Sequence, residues 1–202
     1  MRLLRNDVRS GDVFYIPAMS KDGRVGFVLA RFIEHVECNL GALIEVFKNF
    51  YLEPPKNIHE VDLSERLFRP ILCSLRFSEI PRWKILFSDP EYVREDSNYK
   101  DIVIELHSEC WVGGKSVPKA IGDRGFSRSA SCEGATCWRM HHIIFRVNAH
   151  LSGILGGQDQ FLMEKLPENM RIGNSEAEQK VIGLANEVGT LFRSWSTRKR
   201  TK

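Results

Sequence analysis

The chain has 202 residues, of which 43% are hydrophobic and 27% are charged, and its formal net charge is +3. A chain of this length and balance can bury a sizeable core, which excludes a small fold that depends on disulfides for stability. It contains no apolar run of about 18 residues, and Arg2, Arg5 and Asp7 place charge where a signal peptide would become apolar. We therefore expect a cytoplasmic protein without a membrane-spanning segment.

The positive net charge comes from the end of the chain. Arg198, Lys199, Arg200 and Lys202 are four of the 29 basic residues, and without them 25 basic residues face 26 acidic ones. A short basic tail of this kind is typical of a solvated chain end. Basic and aromatic residues alternate in several segments, but this pattern is more typical of strands with one wet face than of a nucleic-acid platform. We do not expect nucleic acid as a partner.

The cysteines favour reduced thiols over disulfides, because their number is odd and two of them lie among apolar residues. Free cysteine behaves as a small hydrophobic residue, and cytosolic thiols stay reduced. We predict buried thiols for this set, which consists of Cys38, Cys73, Cys110, Cys132 and Cys137.

The clearest strand pattern is a β-hairpin near the start, over residues 11–17 and 21–30. Apolar residues dominate both segments, and Asp22-Gly23 supplies a turn that tolerates positive φ. Pro17 has no backbone N–H to donate, so we predict that it ends the first strand. The hairpin carries no cluster of titratable residues, which favours a scaffold that acts by binding.

Further strands are predicted along the first half of the chain. Their segments are rich in β-branched and aromatic residues and lie near glycine or proline. These strands cover residues 42–47, 70–77, 83–87 and 101–106, and a short helical turn is predicted over residues 61–67.

An acidic loop, residues 88–100, separates the last two of these strands. Its charged residues are Asp89, Glu91, Glu95 and Asp96 on the acidic side and Arg94 and Lys100 on the basic side. The loop is therefore a local acidic patch on a chain whose body is close to neutral.

The composition changes after residue 106. Glycine, serine and basic residues up to residue 134 predict a long flexible stretch, and residues 138–147 predict a strand. Ser175 and Glu178 have the spacing of a capping box, which predicts the start of an amphipathic C-terminal helix. Its apolar face consists of Val181, Leu184, Ala185, Val188, Leu191, Phe192 and Trp195.

These elements predict an α+β fold, with a bent antiparallel β-sheet or small barrel and a C-terminal amphipathic helix packed on it. We divide the chain into a β-rich domain at residues 1–106 and a C-terminal extension at residues 107–202 that packs against this domain.

No metal site or phosphate-binding loop is predicted. Cys132 and Cys137 are separated by four residues, and no second cysteine pair joins them and the neighbouring His141 and His142 in a zinc-ligand pattern. The segment Gly114-Lys115-Ser116 matches the end of a P-loop, but Glu109 stands where that motif requires its first glycine. We expect no cofactor.

A thiol enzyme is an alternative that the sequence leaves open. A cysteine near a histidine can act as a nucleophilic pair, and such pairs are set by the fold and not by sequence spacing. The candidate residues are Cys110, Cys132 and Cys137 with His107, His141, His142 and His150.

Four segments together resemble a known family. Their sequences are GDVFYIP at 11–17, GRVGFVL at 23–29, LIEVF at 43–47 and RWKIL at 82–86. Within residues 9–106 the chain is similar to the immunity protein 26 family of bacterial polymorphic-toxin systems. The resemblance implies a small cytoplasmic protein that protects its producer by binding a cognate toxin or effector domain, and it carries no catalytic residues.

The acidic loop is the predicted contact surface for such a partner, because charged groups supply steering and specificity at protein interfaces. The predicted partner-binding residues are Asp89, Glu91, Tyr92, Glu95 and Asp96. The alternatives to an immunity protein are a cytosolic thiol hydrolase or transferase and a nucleic-acid-binding β-barrel.

Overall fold

A computed structural model describes residues 1–36, 40–75, 79–118 and 132–198, with side chains described up to residue 193. Within these residues the chain forms eleven β-strands and two α-helices. The strands are β1 (Arg2–Leu3), β2 (Asp12–Met19), β3 (Val25–Val36), β4 (Gly41–Tyr51), β5 (Ile71–Cys73), β6 (Lys84–Ser88), β7 (Val103–Glu105), β8 (Glu109–Val112), β9 (Lys115–Pro118), β10 (Glu133–Gly134) and β11 (Cys137–Trp138). The helices are α1 (Met140–Leu151) and α2 (Ser175–Arg198).

The main sheet is a curled half-barrel of seven strands in the order β1-β6-β2-β3-β4-β5-β11. All neighbours are antiparallel except β11, which runs parallel to β5. Register shifts between β3 and β4 follow Val28 and Phe32, and such bulges increase the local twist and bend of a sheet. The α+β fold and the predicted hairpin are confirmed, while the predicted antiparallel sheet is mixed because of β11.

A second sheet has the strand order β10-β7-β8-β9. Strands β8 and β9 form a hairpin whose turn residues, Gly113 and Gly114, have φ of 49° and 90°. Positive φ at both turn positions suits the twist of a two-residue hairpin and favours glycine. The prediction of a flexible stretch is therefore wrong for residues 109–118, and residues 119–131 lie outside the described part of the chain.

Both faces of the half-barrel are covered. Side chains alternate along β4, so that Ile44 belongs to the core under the helices while Leu43 belongs to a second core under the smaller sheet. On the helix side, α1 packs on β2, and α2 packs on β2 and β3. The ring of Phe192 from α2 stacks on Tyr15 of β2 with centroids 3.9 Å apart.

Helix α1 overturns the prediction of a strand at residues 138–147. Ten of its 12 residues are buried, because α1 packs against both β2 and α2. A helix that is buried on most sides lacks the polar stripe from which the 3.6-residue period of a helix is recognised. The sequence of its β-branched and aromatic residues is then similar to that of a buried strand.

Helix α2 confirms the predicted C-terminal helix, but its cap lies one residue earlier than predicted. The side chain of Asn174 accepts a hydrogen bond from the N–H of Ala177 at 2.9 Å, and Glu178 accepts one from the N–H of Gly173 at 2.9 Å. The predicted apolar face is buried at Val181, Leu184, Ala185, Val188 and Phe192, whereas Leu191 is 39% exposed and the side chain of Trp195 lies outside the described set.

Two further predictions are corrected. Residues 61–67 form no helical turn, and a short 3-10 helix lies just before them at Ile58–Glu60. The backbone of Arg66 pairs with that of Phe47 in β4 as an isolated antiparallel β-bridge. Pro17 lies inside β2 and does not end it. It is tolerated because β6 pairs only with residues 12–14 of β2, which leaves one edge open at Pro17.

The predicted strand over residues 70–77 is shorter than expected, with only Ile71–Cys73 in β5 and residues 76–78 outside the described chain. Among the cysteines, Cys73, Cys110 and Cys132 are buried thiols, as predicted. Cys137 is exposed, against the prediction, because β11 is the edge strand of the half-barrel. Cys38 lies outside the described residues.

Candidate functional site

The acidic loop, residues 88–100, connects β6 to β7 and carries the predicted partner-binding residues. The side chains of Glu91, Glu95 and Asp96 are exposed and Asp89 is half-buried. Tyr92 is only 8% exposed. The structure thus brings the four carboxylates to one surface loop and places Tyr92 beneath it.

The four carboxylates divide into two pairs. Those of Asp89 and Asp96 accept hydrogen bonds from the backbone N–H groups of Glu91 and Val93, each at 3.1 Å. Within the described ranges the carboxylates of Glu91 and Glu95 form no hydrogen bond and no close ion pair, and Glu95 has an electrostatic interaction with Arg94. The first pair therefore shapes the loop, and the second pair remains available to a partner.

A glycine fixes the first turn of the loop against β2. The carbonyl oxygen of Gly11 accepts a hydrogen bond from the N–H of Asp89 at 3.2 Å. Gly11 has φ of +84°, and a Cβ at this position would lie 2.6 Å from the carbonyl oxygen of Asp89. Only glycine combines this backbone conformation with so close an approach.

A buried ionic network fixes the other end of the loop. Glu45 of β4 is 1% exposed and accepts hydrogen bonds from Nε of Arg31 and Nε of Arg66, both at 2.7 Å, and from Oγ of Ser97 at 2.6 Å. Arg66 also donates to the carbonyl oxygen of Ser97. Since a buried carboxylate is tolerated only with such complete pairing, this network attaches the loop firmly to the sheet.

Tyr92 completes this attachment. Its hydroxyl lies 2.5 Å from Oγ of Ser97, and the guanidinium carbon of Arg31 lies 4.3 Å from the centroid of its ring. Burial raises the pKa of Tyr92, although the hydrogen bond with Ser97 opposes this shift. Tyr92 acts within the network and presents little of its surface to solvent.

The basic residue Arg94 does not neutralise the acidic loop, because it is already paired outside the loop. Its Nη1 lies 2.6 Å from the Glu34 carboxylate, which also accepts a hydrogen bond from the hydroxyl of Tyr99. Burial is the main cause of the raised pKa of Tyr99. The outward charge of the loop thus remains negative.

A second buried ion cluster was not predicted. Arg146 of α1 is fully buried and donates two hydrogen bonds to Glu133, at 2.6 and 2.9 Å, while Nε of Arg69 lies 3.8 Å from the same carboxylate. His150, one turn further along α1, is 6% exposed. A charged residue inside an apolar segment, such as Arg146 or Glu45, was the available sequence signal for both networks.

The residues considered for metal binding are dispersed. Cys132 Sγ lies 4.0 Å from the Glu105 carboxylate, whereas Cys137 packs beside Gly41. Nδ1 of His141 lies 2.7 Å from the Glu79 carboxylate. Over the described ranges no group of three or more His, Cys, Asp or Glu side chains could hold a metal ion.

Two of the three candidate thiols have raised pKa values. Burial raises the pKa of both Cys132 and Cys137. A thiol is nucleophilic as the thiolate, and a raised pKa reduces the thiolate fraction at neutral pH. Burial also raises the pKa of Cys73, which lies in the core of the half-barrel.

No protein-family model, curated protein or solved structure matches the chain. In the part of the chain that the structure describes, neither helix has the length and apolar character needed to cross a bilayer.

Proposed function

We propose that this protein is an immunity protein that binds and neutralises a cognate toxin or effector domain through its acidic loop, without catalysis of its own. The observation that carries the proposal is the combination of exposed, unpaired carboxylates at Glu91 and Glu95 with a loop backbone fixed at both ends. The four sequence segments that resemble an immunity family agree with this proposal, although no family model matches the chain.

Preorganisation is the physical reason why such a loop suits an inhibitor. A loop that is already ordered loses little conformational entropy on binding, so more of the contact energy contributes to affinity. Gly11 orders its start, and Ser97 and Tyr92 order its end. The partner that this surface fits carries basic side chains where it contacts the loop.

The test is calorimetric titration, at low and high salt, with the product of the gene immediately upstream, which we expect to encode the toxin domain. We expect one-to-one binding that weakens as salt increases, because exposed charges are screened. The double variant Glu91→Gln/Glu95→Gln should bind about tenfold more weakly, mostly through slower association.

The matched control is Glu164→Gln/Glu168→Gln, which removes the same charge from exposed positions outside the loop. This control should bind like the unmodified protein. Equal loss of affinity in both double variants would mean that only net charge matters, and no binding to the toxin domain would overturn the proposal.

The alternative function, a thiol enzyme, predicts a different effect of cysteine substitutions. If a cysteine were the nucleophile of a hydrolase or transferase, one of Cys110→Ser, Cys132→Ser or Cys137→Ser would abolish the activity of that enzyme. For an immunity protein that acts by binding, all three variants should protect cells as well as the unmodified chain does.

A further inference from the structure

A polar cleft of about 490 Å³ opens beside the first buried network. It lies between β4, residues 63–67, residues 96–98 and residues 155–158, and this volume falls within the range of small-molecule sites, about 300–1,000 Å³. Its inner wall includes Arg31, Glu45, Arg66 and His150.

The inner wall has a surplus of positive charge. Two guanidinium groups, from Arg31 and Arg66, share the single carboxylate of Glu45. Their contacts with Glu45 and Ser97 use Nε and Nη2 of each arginine, and Nη1 of each has no hydrogen-bond partner among the described residues. The cleft therefore offers guanidinium donors that the protein itself does not use.

His150 provides a second and independent observation. It lines the same cleft and is 6% exposed, and neither ring nitrogen has a well-aligned hydrogen bond within the described structure, although the backbone of Leu155 and Gly156 lies beside the ring. Burial, and then the charge of Arg146, lower its pKa to about 4. The ring is thus neutral near pH 7 and has one N–H to donate.

The outer rim of the cleft carries charges of both signs. At the outer rim, Lys48 is paired with Glu65 at 2.8 Å, and Asp96 is exposed. Asp96 would repel a highly charged polyanion at the entrance, which favours a small ligand with a single anionic group.

We propose that this cleft binds a small metabolite through one oxyanion group, a carboxylate or a phosphate, held by Arg31, Arg66 and the ring N–H of His150. Arginine is well suited to both groups, because its planar donors match oxygen pairs. This site is separate from the exposed carboxylates Glu91 and Glu95, and the proposal does not depend on the function proposed above.

The test uses the protein alone, so its result is independent of any toxin. Inorganic phosphate and acetate are titrated separately, against sodium chloride at equal ionic strength, with detection by calorimetry and by the NMR signals of the histidine rings. We expect saturable binding of at least one probe and a shift of the His150 ring signal. That signal is assigned as the one missing from the spectrum of the His150→Leu variant. The probe that binds more tightly distinguishes a phosphate from a carboxylate head group.

Arg66→Gln should weaken binding at least tenfold. The matched control is Arg24→Gln, which removes the same charge from the exposed hairpin turn, where Arg24 is paired with Asp22, and it should bind like the unmodified protein. If Arg66→Gln fails to fold, as judged by circular dichroism, then His150→Leu provides the test and should weaken binding in calorimetry. Absence of saturable binding, or full binding by the folded cleft variants, would overturn the proposal.

Discussion

Glu45 shows how a single residue can link the core to the surface. Glu45 is 1% exposed and lies in the apolar first half of β4, and its carboxylate binds two arginines and Ser97 of the acidic loop. Each partner comes from a different segment of the chain. The energetic consequence of removing the carboxylate is therefore large, since its partners would remain buried without it.

We expect Glu45→Gln to reduce the free energy of unfolding by about 3–5 kcal/mol, because two guanidinium groups lose their shared counter-charge. Urea denaturation measures this change. The control is Glu65→Gln, whose side chain is 67% exposed and paired with Lys48. An exposed pair contributes up to about 1 kcal/mol, so equal losses in the two variants would contradict a stabilising role for the network.

His150 should make stability depend on pH in a defined window. Its pKa is about 4 in the folded protein against 6.5 for an unperturbed histidine, so the unfolded chain binds a proton at a higher pH than the folded chain does. Stability should be highest above about pH 6.5 and should fall as the pH decreases towards 4, by an amount on the order of 3 kcal/mol.

Denaturation at a series of pH values tests this expectation, with His150→Leu as the comparison. The variant cannot take up a proton at this position, so its stability should decline less between pH 6.5 and 4. Identical pH dependence in the two proteins would show that His150 does not contribute.

At the scale of elements, the sequence predicts the hairpin of β2 and β3 well because both its turn and its apolar segments follow local rules. Helix α1 is not predicted, because burial of ten of its 12 residues removes the polar stripe. The charges of the acidic loop are also readable from the sequence. The buried network that anchors the loop cannot be read from the sequence, because the pairing of Arg31 with Glu45 depends on bulges that shift the register of β3 against β4.

The contact between the acidic loop and β2 can be tested at Gly11. In Gly11→Ala, a Cβ would lie 2.6 Å from the carbonyl oxygen of Asp89, so we expect the loop to shift and the amide NMR signals of residues 88–97 to move. Gly23→Ala is the matched control, because its φ of +80° is similar and no atom lies within 4 Å of the added Cβ.

Both alanine variants should lose about 1–2 kcal/mol of stability from the left-handed backbone conformation. Only Gly11→Ala should lose more than this and disturb the loop. If the two variants lose the same stability and the loop signals do not move, the close approach of Gly11 to Asp89 does not position the loop.

At the scale of the whole molecule, the half-barrel depends on later parts of the chain for cover on both faces. Helices α1 and α2 cover the face that includes Tyr15 and Phe27, and the second sheet covers the face that includes Ile33 and Leu72. The described contacts thus cross the predicted boundary between residues 1–106 and 107–202 at several places.

A fragment of residues 1–106 should consequently fail to fold cooperatively, because it exposes aromatic core side chains that α2 covers in the full chain. We expect it to bind a hydrophobic dye and to show poorly dispersed NMR signals. A chain that ends at residue 198 is the control and should retain the signals of the full protein. A fragment with sharp, dispersed signals would establish residues 1–106 as an independent unit.

The parallel pairing of β11 with β5 has a consequence for the time the chain needs to fold. Residues 72 and 137 are register partners, and so are residues 2 and 85 at the opposite edge of the sheet. Both edges of the half-barrel therefore close only after long segments of chain have come together, and contacts so distant in sequence slow folding. Refolding should take milliseconds to seconds and not microseconds, and during that interval the open sheet edges are vulnerable to pairing with other chains.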